Sequence, residues 1–460
     1  MKWNNLSLHK IKWICSVIVV LLPFFCSISN VFQKYLAVTL WAIMMWMFEL
    51  LPEEIVAIML PGLYILFDIT NYATAFSAWT TSTPWITLGG LMIGGMIVKS
   101  GLVLRIAYKS LLLTKGSLKG IVWGIVLTCT IFTPLIPSIM AKVALLVPVV
   151  IGICKVLKVE AKSATASALM LVVFFALWSP KMAFMTASTD SILTAGILEQ
   201  YLGVKITWLA WAKDMFIPGI LWMLVSIPLI YILRPQHLNL NKEYLKIEYR
   251  KLGKITIDEK KTVTLITALL ILLIFSSWHK LPEGVLMLGI GCLGFFPGIG
   301  LLKSDDFSKI QFKVVFFLAG AVTIGAVASS IGITESVINF VQPYFEQMNS
   351  YELVMSIYIF SILANFLLNP LALIATLMIP IANLCSNLGY SATIGGYSMI
   401  MGFNQALFPY EIAPLMLVYG FGYLKLTHLI KVMVFRIVAG IIFMTVVTYP
   451  YWLYIGLLDK

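Results

Sequence analysis

Two polar, charged segments interrupt an otherwise apolar chain: Lys181-Met-Ala-Phe-Met-Thr-Ala-Ser-Thr-Asp190 and Asn404-Gln-Ala-Leu-Phe-Pro-Tyr-Glu411-Ile-Ala-Pro414. Each lies inside a stretch that is long and apolar enough to cross a membrane. A carboxylate in the hydrocarbon region is costly and normally faces a cavity or a transport pathway. Two such segments in matching places of two halves indicate a transport site at the interface between structural repeats.

The composition indicates a polytopic membrane protein. Of the 460 residues, 60% are hydrophobic and 11% are charged, whereas soluble domains carry about 25% charged residues. The net charge of +12 comes from basic residues between apolar segments, as in positive-inside loops, so no nucleic-acid partner is expected. The six cysteines and four histidines are dispersed, which predicts spectator thiols and no metal site.

Hydropathy predicts an all-α fold of about eleven transmembrane helices and two re-entrant hairpins. The apolar run near 12–29 lacks a small-x-small cleavage signal, so we interpret it as an uncleaved first span. The predicted segments are an N-terminal first span, 1–33; a first repeat, 34–233, with a hairpin at 120–157 and a broken helix at 163–199; a basic cytoplasmic linker, 234–261; and a second repeat, 262–460, with a hairpin at 350–388 and a broken helix at 392–420.

The basic residues favour this topology. If each hairpin enters and leaves the membrane on one side, every basic cluster falls on the inner face. These clusters are 99–119, 155–162, the linker, 303–313 and 425–436. We therefore predict a multi-pass protein of the cytoplasmic membrane with its N-terminus inside and its C-terminus outside.

The two halves also resemble each other in sequence. The run Trp85-Ile-Thr-Leu-Gly-Gly-Leu-Met-Ile-Gly-Gly95 is similar to Val315-Phe-Phe-Leu-Ala-Gly-Ala-Val-Thr-Ile-Gly325. Leu146-Val-Pro148 corresponds in the same way to Met378-Ile-Pro380. Such matches in the same order, in spans of opposite polarity, predict inverted repeats.

Several blocks resemble the divalent anion:sodium symporters, a family that carries citrate and dicarboxylates. The blocks are Phe48-Glu-Leu-Leu-Pro52, the run 85–101, Ile206-Thr-Trp-Leu-Ala-Trp211 and Gly420-Phe-Gly-Tyr-Leu-Lys425. The resemblance covers nearly the whole chain. It implies a homodimer in the lipid bilayer, in which each protomer has a scaffold domain and a transport domain that moves as an elevator. It also implies hairpin tips that read Ser-Asn-Thr and bind substrate carboxylate and sodium.

The chain departs from that family at both tips. The first tip reads Pro137-Ser138-Ile139-Met140-Ala141-Lys142 and keeps only Ser138 of the triplet, while the second reads Asn369-Pro370-Leu371-Ala372. Isoleucine, methionine and leucine offer neither oxygen ligands for a hard cation nor donors for a carboxylate. Ordinary two-site sodium coupling is therefore disfavoured, and exchange or proton-linked transport is as consistent with the sequence as sodium symport.

Polar and charged residues near the tips and breaks form the predicted site. Lys142 follows the first tip and would attract a carboxylate as a point charge. The candidate substrate-binding residues are Ser138, Lys142, Lys181, Thr186, Ser188, Thr189, Asn369, Asn404, Gln405 and Tyr410. The candidate residues for coupling to a cation or proton are Asp190, Ser191 and Glu411. The alternative is that the buried charges only balance one another as internal ion pairs.

The predicted function is secondary active transport of small organic anions such as citrate, succinate or malate, without a cofactor. Two alternatives stay open: a permease for an inorganic oxyanion such as sulfate or an arsenic oxyanion, and a non-transporting, sensor-like relative. An enzyme is not expected, because the sequence has no His/Cys/Asp cluster and no Gly-x-Ser-x-Gly nucleophile elbow.

Overall fold

The computed structural model describes residues 2–48, 50–114, 116–134, 136, 138–238 and 240–459. These residues form helices and contain no β-strand. The predicted all-α class is therefore confirmed for the described part of the chain. Pro137, in the first predicted tip, lies outside the described residues.

The helices before residue 252 are α1 (Lys2–Leu21), α2 (Asn30–Met47), α3 (Glu53–Leu66), α4 (Tyr72–Ala75), α5 (Ser82–Lys99), α6 (Leu102–Leu113), α7 (Leu118–Phe132), α8 (Ile139–Val156), α9 (Ala164–Trp178), α10 (Thr189–Leu202), α11 (Trp208–Ser226) and α12 (Lys242–Lys251). Short 3₁₀ segments lie at Leu22–Phe25, Ser77–Thr80, Ser179–Ala183, Met185–Ala187 and Ile227–Leu233.

The later helices are α13 (Ile257–Ile274), α14 (Ser276–His279), α15 (Glu283–Leu293), α16 (Ser304–Phe307), α17 (Phe312–Ile331), α18 (Ile333–Val341), α19 (Ser350–Ala364), α20 (Pro370–Asn387), α21 (Ala392–Phe403), α22 (Ala413–Gly420), α23 (Leu426–Phe443) and α24 (Tyr449–Tyr454). Further 3₁₀ segments lie at Gln342–Tyr344 and Pro409–Glu411, and a π-helical segment lies at Met444–Thr448.

The number of predicted spans exceeds the number of long apolar helices. By length and composition, six helices in the described residues could cross a membrane, or seven if α5 and α6, which are bent by 64° at their junction, form one span. Gly101 at that junction has φ +81°, a value that glycine adopts readily and that ends a helix. Other predicted spans are short helices, such as α3 with 14 residues and α15 with 11. The count of eleven spans stays a prediction.

Two central helices are interrupted. We call residues 179–188, between α9 and α10, the first break, and residues 404–412, between α21 and α22, the second break. Helices α7 and α8 both pack against α9, and α19 and α20 both pack against α21. The residues 165–183, which lead into the first break, are all buried.

Side-chain caps set the start of the helices that follow the two predicted tips. We call 133–138 the first tip segment and 365–369 the second tip segment. Ser138 accepts a hydrogen bond from the backbone N–H of Ala141 at 3.2 Å, and Asn369 accepts one from Ala372 at 2.9 Å. Each cap satisfies a donor that the first helical turn leaves free. Helices α8 and α20 therefore begin at the tips.

Glycines let helices from the two halves cross closely. A Cβ atom on Gly89 would lie 2.3 Å from the backbone of Met287, and one on Gly320 would lie 2.2 Å from the backbone oxygen of Ala57. Helix α5 thus packs against α15, and α17 packs against α3. The glycines that the sequence comparison aligned lie on these two helices, α5 and α17.

The basic linker is partly helical and is fastened to the first half. Helix α12 lies within it, and α13 already begins at Ile257. Arg105 on α6 forms an ion pair with Glu259 at 2.5 Å and donates to the backbone oxygens of Leu252 and Gly253 at 3.1 and 3.0 Å. The described part of the linker therefore packs against α6 of the first half.

Candidate functional site

The first break brings a lysine and an aspartate together in the interior. Lys181 and Asp190 form an ion pair in which both side chains are buried. The Lys181 ammonium also lies 3.3 Å from the ring centroid of Trp178, a cation–π contact. Asp190 accepts a further hydrogen bond from the backbone N–H of Ser191 at 3.2 Å. For this pair the geometry fits the alternative that buried charges balance one another.

Hydroxyl groups connect the first break to the first tip segment. Thr186 donates from Oγ1 to the backbone oxygen of Pro134 at 3.1 Å and accepts from the indole N–H of Trp208 at 3.1 Å. The hydroxyls of Ser188 and Ser191 lie 3.0 Å apart. Because Pro134 belongs to the first tip segment, Thr186 fixes the distance between tip and break.

Lys142 reaches from α8 into the first break. Its side chain is 1% exposed, and Nζ donates to the backbone oxygen of Ala187 at 3.2 Å. No carboxylate of the described residues lies within ion-pair distance of this ammonium. A buried ammonium with a neutral partner is costly inside a membrane, so Lys142 is the least compensated lysine of the predicted set.

Neutral donors hold the carboxylate of the second break. Glu411 accepts hydrogen bonds from the backbone N–H groups of Phe408 at 2.7 Å and Leu407 at 3.1 Å. The amide of Asn365 donates to it at 3.3 Å and to the backbone oxygen of Gln405 at 3.0 Å. The second tip segment and the second break thus share Asn365, and no described cation pairs with Glu411.

A guanidinium joins the two breaks to each other. Arg436 on α23 donates from Nη1 to the backbone oxygen of Asn404 at 2.7 Å and to Gln405 Oε1 at 3.2 Å. From Nη2 it donates to Asn404 Oδ1 at 2.6 Å and to Ser179 Oγ at 3.0 Å. Asn404 also exchanges two hydrogen bonds with the backbone and indole of Trp178, at 3.0 and 2.9 Å. Ser179 and Asn404 are the first residues of the two breaks, so one side chain spans both.

Sequence reasoning missed Arg436. The charge pattern counted it with the basic residues of the cluster 425–436, whereas its side chain is buried in the interior and 1% exposed. Its Cζ lies 5.2 and 4.9 Å from the ring centroids of Phe175 and Trp222. The signal was present, since an arginine inside an apolar helix of 18 residues falls under the rule that singled out Glu411.

The larger of two cavities at the tips, which we call the tip cavity, has a volume of about 690 Å³. It is lined by the second tip segment, by Met140 from the start of α8, and by Glu53, Tyr410 and Glu411. The side-chain amide of Asn369 donates to Glu53 at 3.1 Å across it. Asn365 Oδ1, at its edge, is buried and has no hydrogen-bond partner among the described residues. Carboxylate and amide oxygens of this kind suit a hard cation or a proton.

The second cavity, which we call the lysine cavity, has a volume of about 390 Å³. Ser138 and Ala141 line it, together with α5 and the segment 302–311. Lys99 and Lys309 lie at this cavity with Asp306. The Lys99 ammonium, which donates a hydrogen bond to Asp306, lowers the pKa of that carboxyl below its usual value. Ser138 and Met140 face different cavities, so the start of α8 separates the two.

The structure sorts the predicted residues by location. Those buried in the breaks are Lys181, Thr186, Ser188, Asn404 and Gln405, and Asp190 and Ser191 are buried in the first turn of α10. Those that line a cavity are Ser138, Asn369, Tyr410 and Glu411. Lys142 lies between tip and break and lines neither cavity. Thr189 is half-buried at the start of α10, and the described residues hold no group of three His, Cys, Asp or Glu suited to a metal.

Several curated relatives of this chain are named as transporters. A spinach protein, dicarboxylate transporter 1, chloroplastic, is 26% identical over 276 residues, which are 58% of this chain and 48% of that protein. The L-tartrate/succinate antiporter of Escherichia coli is 23% identical over a match of 453 residues, which spans 88% of this chain and 90% of the antiporter. A putative malate transporter of Bacillus subtilis is 22% identical over a match of 229 residues, which spans 49% of this chain and 48% of that protein. The chain spans about half the length of the spinach relative.

A solved structure shares the fold. The crystal structure of the Alcanivorax borkumensis YdaH transporter superimposes with a TM-score of 0.55 at 15% identity. The match covers 86% of this chain and 89% of that one. At this identity the likeness concerns the fold alone.

A family model decides the assignment. The model of the sodium:sulfate symporter transmembrane region matches residues 3–458. The resemblance to divalent anion:sodium symporters that the sequence blocks carry is confirmed by this match. The chain therefore belongs to the sodium:sulfate symporter family of multi-pass membrane transporters.

Proposed function

We propose that this protein is a secondary transporter that exchanges small di- and tricarboxylates, such as succinate, malate or citrate, across the cytoplasmic membrane. Family membership and the names of the relatives support an anion as substrate. The proposal extends to proton-linked movement, in which a proton on a buried carboxylate accompanies the anion. It includes no enzymatic step.

The observation that carries this proposal is the charge balance around the two breaks. Lys142, Lys181 and Arg436 are buried there against two carboxylates, Asp190 and Glu411. Fully ionised, these five groups leave one uncompensated positive charge. Buried charge in a membrane protein is costly and marks substrate or ion pathways. An excess of buried cationic groups at the breaks favours an anionic cargo.

Lys142 supports transport without sodium. Its ammonium holds the backbone oxygen of Ala187 at 3.2 Å, at the point where a tip meets a break. A freed carbonyl at such a break would otherwise attract a cation. We propose that Lys142, with Lys181, supplies the positive charge that a bound sodium ion would supply, and that the substrate-binding residues act around them.

Glu411 supports a coupling role for the second break. Its carboxylate has neutral partners and lines the tip cavity, in which Asn365 Oδ1 is unpartnered among the described residues. We propose that a proton or a small cation binds here during each cycle. Asp190 and Ser191, at the first break, complete the proposed coupling set.

The architecture we propose for this cycle is an elevator built on two inverted repeats. The stretches 120–157 and 350–388 would be re-entrant hairpins, and the broken helices would move with them against a scaffold. Each cavity lies between tip residues and helices outside the proposed hairpins. Helix α5 lines the lysine cavity, and the end of α2 and the start of α3 line the tip cavity. Movement at these surfaces would expose the tips alternately to the two faces, and a homodimer would hold the scaffold in place.

A second candidate is a permease for an inorganic oxyanion. The description of the matching family names sulfate as a substrate. Sulfate, like a dicarboxylate, is a dianion that lysine ammonium groups can bind. The two kinds of substrate differ in size. A dicarboxylate carries its two charges at separate positions along a carbon chain, whereas sulfate carries both on one small ion.

Exchange in proteoliposomes tests the proposal. Liposomes loaded with unlabelled succinate, malate, citrate, sulfate or phosphate would receive the labelled anion outside, with sodium, with potassium, or with a pH gradient. We expect dicarboxylate exchange without sodium. Uptake of sulfate alone would support the second candidate. Binding in a thermal-shift assay without any uptake would support a sensor-like relative and contradict the proposal.

A further inference from the structure

The lysine cavity carries charges that the buried breaks do not use. Lys99 ends α5, whereas Asp306 and Lys309 lie far along the chain in the segment before α17. We propose that this cavity is a capture site, where Lys99 and Lys309 bind a carboxylate of the substrate before it reaches the tips. The proposal rests on the proposed function, because it takes the cargo to be a dicarboxylate.

The position of the cavity supports a route to the first tip. Ser138 and Ala141 line it at the start of α8, and Gly90, Gly94 and Gly95 line it along α5. A Cβ atom on Gly94 would lie 3.4 Å from the side chain of Ile136, so a larger residue there would narrow the passage. Its volume of about 390 Å³ lies within the range of small-molecule sites, about 300–1,000 Å³.

Asp306 acts as an internal carboxylate that holds the lysines. It pairs with Lys99, lies 3.7 Å from the ammonium of Lys309, and accepts the backbone N–H of Lys303 at 2.8 Å. A substrate carboxylate has the same chemistry and would compete with Asp306 for the two ammonium groups. The second carboxylate of the substrate would remain free to enter the cavity.

The capture site acts on one face of the membrane. The positive-inside rule assigns both basic clusters, 99–119 and 303–313, to the inner face. The lysines should therefore affect the binding of substrate from the cytoplasm and not from outside. A structural role in folding would affect both faces alike.

Sided exchange kinetics test this inference. The KM for succinate would be measured in inverted and in right-side-out membrane vesicles that contain the full-length protein. We expect Lys99→Gln and Lys309→Gln each to raise the KM at the cytoplasmic face about two- to fivefold, as for a solvent-exposed ion pair. Asp306→Asn should lower that KM, because it removes the competing carboxylate, and the KM at the outer face should stay unchanged.

Lys313→Gln is the matched control. Lys313 is exposed and lies in the same basic cluster but does not line the cavity. The inference is overturned if the lysine variants change the KM no more than this control, or if they change it equally at both faces. Its failure would leave the proposed function standing, whereas a wild-type protein that exchanges no dicarboxylate would contradict the proposed function itself.

Discussion

Arg436 donates to Asn404 twice, from Nη1 to the backbone oxygen at 2.7 Å and from Nη2 to the side-chain oxygen at 2.6 Å. A third hydrogen bond, to Ser179 at 3.0 Å, reaches the other break. The described residues offer this guanidinium no carboxylate. Arg436 therefore holds the starts of both breaks together through neutral oxygens, and its planar fork suits several acceptors at once.

Removal of this guanidinium should destabilise the protein and abolish transport. Arg436→Gln removes the charged donor to both oxygens of Asn404 and leaves the buried hydroxyl oxygen of Ser179 without its donor, at a cost of about 1.5–3 kcal/mol for each charge-assisted hydrogen bond. Arg436→Lys keeps the charge without the fork, so we expect an intermediate melting temperature and rate. Thermal unfolding in detergent and succinate exchange would measure both. Arg250→Gln, at an exposed position on α12, is the control. If Arg436→Gln and Arg250→Gln gave the same melting temperature and exchange rate, Arg436 would not hold the two breaks together.

The ammonium of Lys142 should decide the sodium dependence of transport. Lys142→Ala leaves the backbone oxygen of Ala187 without its donor and removes one buried positive charge. We expect exchange to fall at least tenfold in potassium and to recover in part in sodium, because the freed carbonyl then favours a cation. Counterflow in liposomes with either ion would show this.

Lys155→Ala is the control for that experiment, because Lys155 lies on the same helix, α8, and is exposed. Unchanged exchange by the Lys142 variant would remove this residue from the proposed site. Strict sodium dependence of the wild-type protein would contradict the replacement of sodium by a lysine.

The sequence predicted where helices are interrupted better than it predicted which residues of distant segments contact each other. Charges and prolines inside apolar stretches located both breaks, and the Asn369-Pro370 pair marks the start of α20. These signals are local, since a buried charge or a proline disfavours a regular membrane helix wherever it occurs. The all-helical membrane fold followed from composition and hydropathy.

Contacts between distant segments could not be predicted in this way. Asn404 contacts Trp178 and Arg436, and Asn369 contacts Glu53, because tertiary packing brings separate helices together. No periodicity or spacing in one sequence encodes such pairs. The hydrogen bond from Lys142 to the backbone oxygen of Ala187 is another such contact, between residues 45 positions apart.

The buried pair of the first break should show strong coupling. Lys181→Met or Asp190→Leu alone leaves an uncompensated buried charge, which typically costs about 3–5 kcal/mol. The double variant removes both charges and should be more stable than either single variant. Thermal or denaturant unfolding of the four proteins gives the coupling energy.

Lys246 and Glu243 provide the matched control pair, because they lie 3.4 Å apart and are about half exposed. A double-mutant cycle there should give only about 0.2–1 kcal/mol. If the buried pair couples no more strongly than this surface pair, the two charges do not stabilise each other in the folded protein.

The ion pair at the lysine cavity should give a defined dependence of stability on pH. Lys99 lowers the pKa of Asp306 below its usual value of 3.8, so the folded state favours the ionised carboxylate more than the unfolded state does. The pair therefore stabilises the protein above pH 3.8, and this contribution is lost as the pH falls through the lowered pKa. We expect Asp306→Asn to melt below the wild type at neutral pH and to approach it below pH 3.8. A constant difference at all pH values would contradict this.

Glu411 should couple transport to a proton or a cation. Glu411→Gln keeps a side-chain oxygen for the backbone N–H groups of Leu407 and Phe408, so we expect the break to keep its shape. The variant cannot gain or lose a proton, and exchange of one anion for another should therefore continue while uptake driven by an imposed pH or sodium gradient is lost. Exchange and gradient-driven uptake would be measured in the same proteoliposomes. Glu352→Gln, at the capped start of α19, controls for the loss of an acidic group, and gradient-driven uptake that survives in the Glu411 variant would place the coupling site elsewhere.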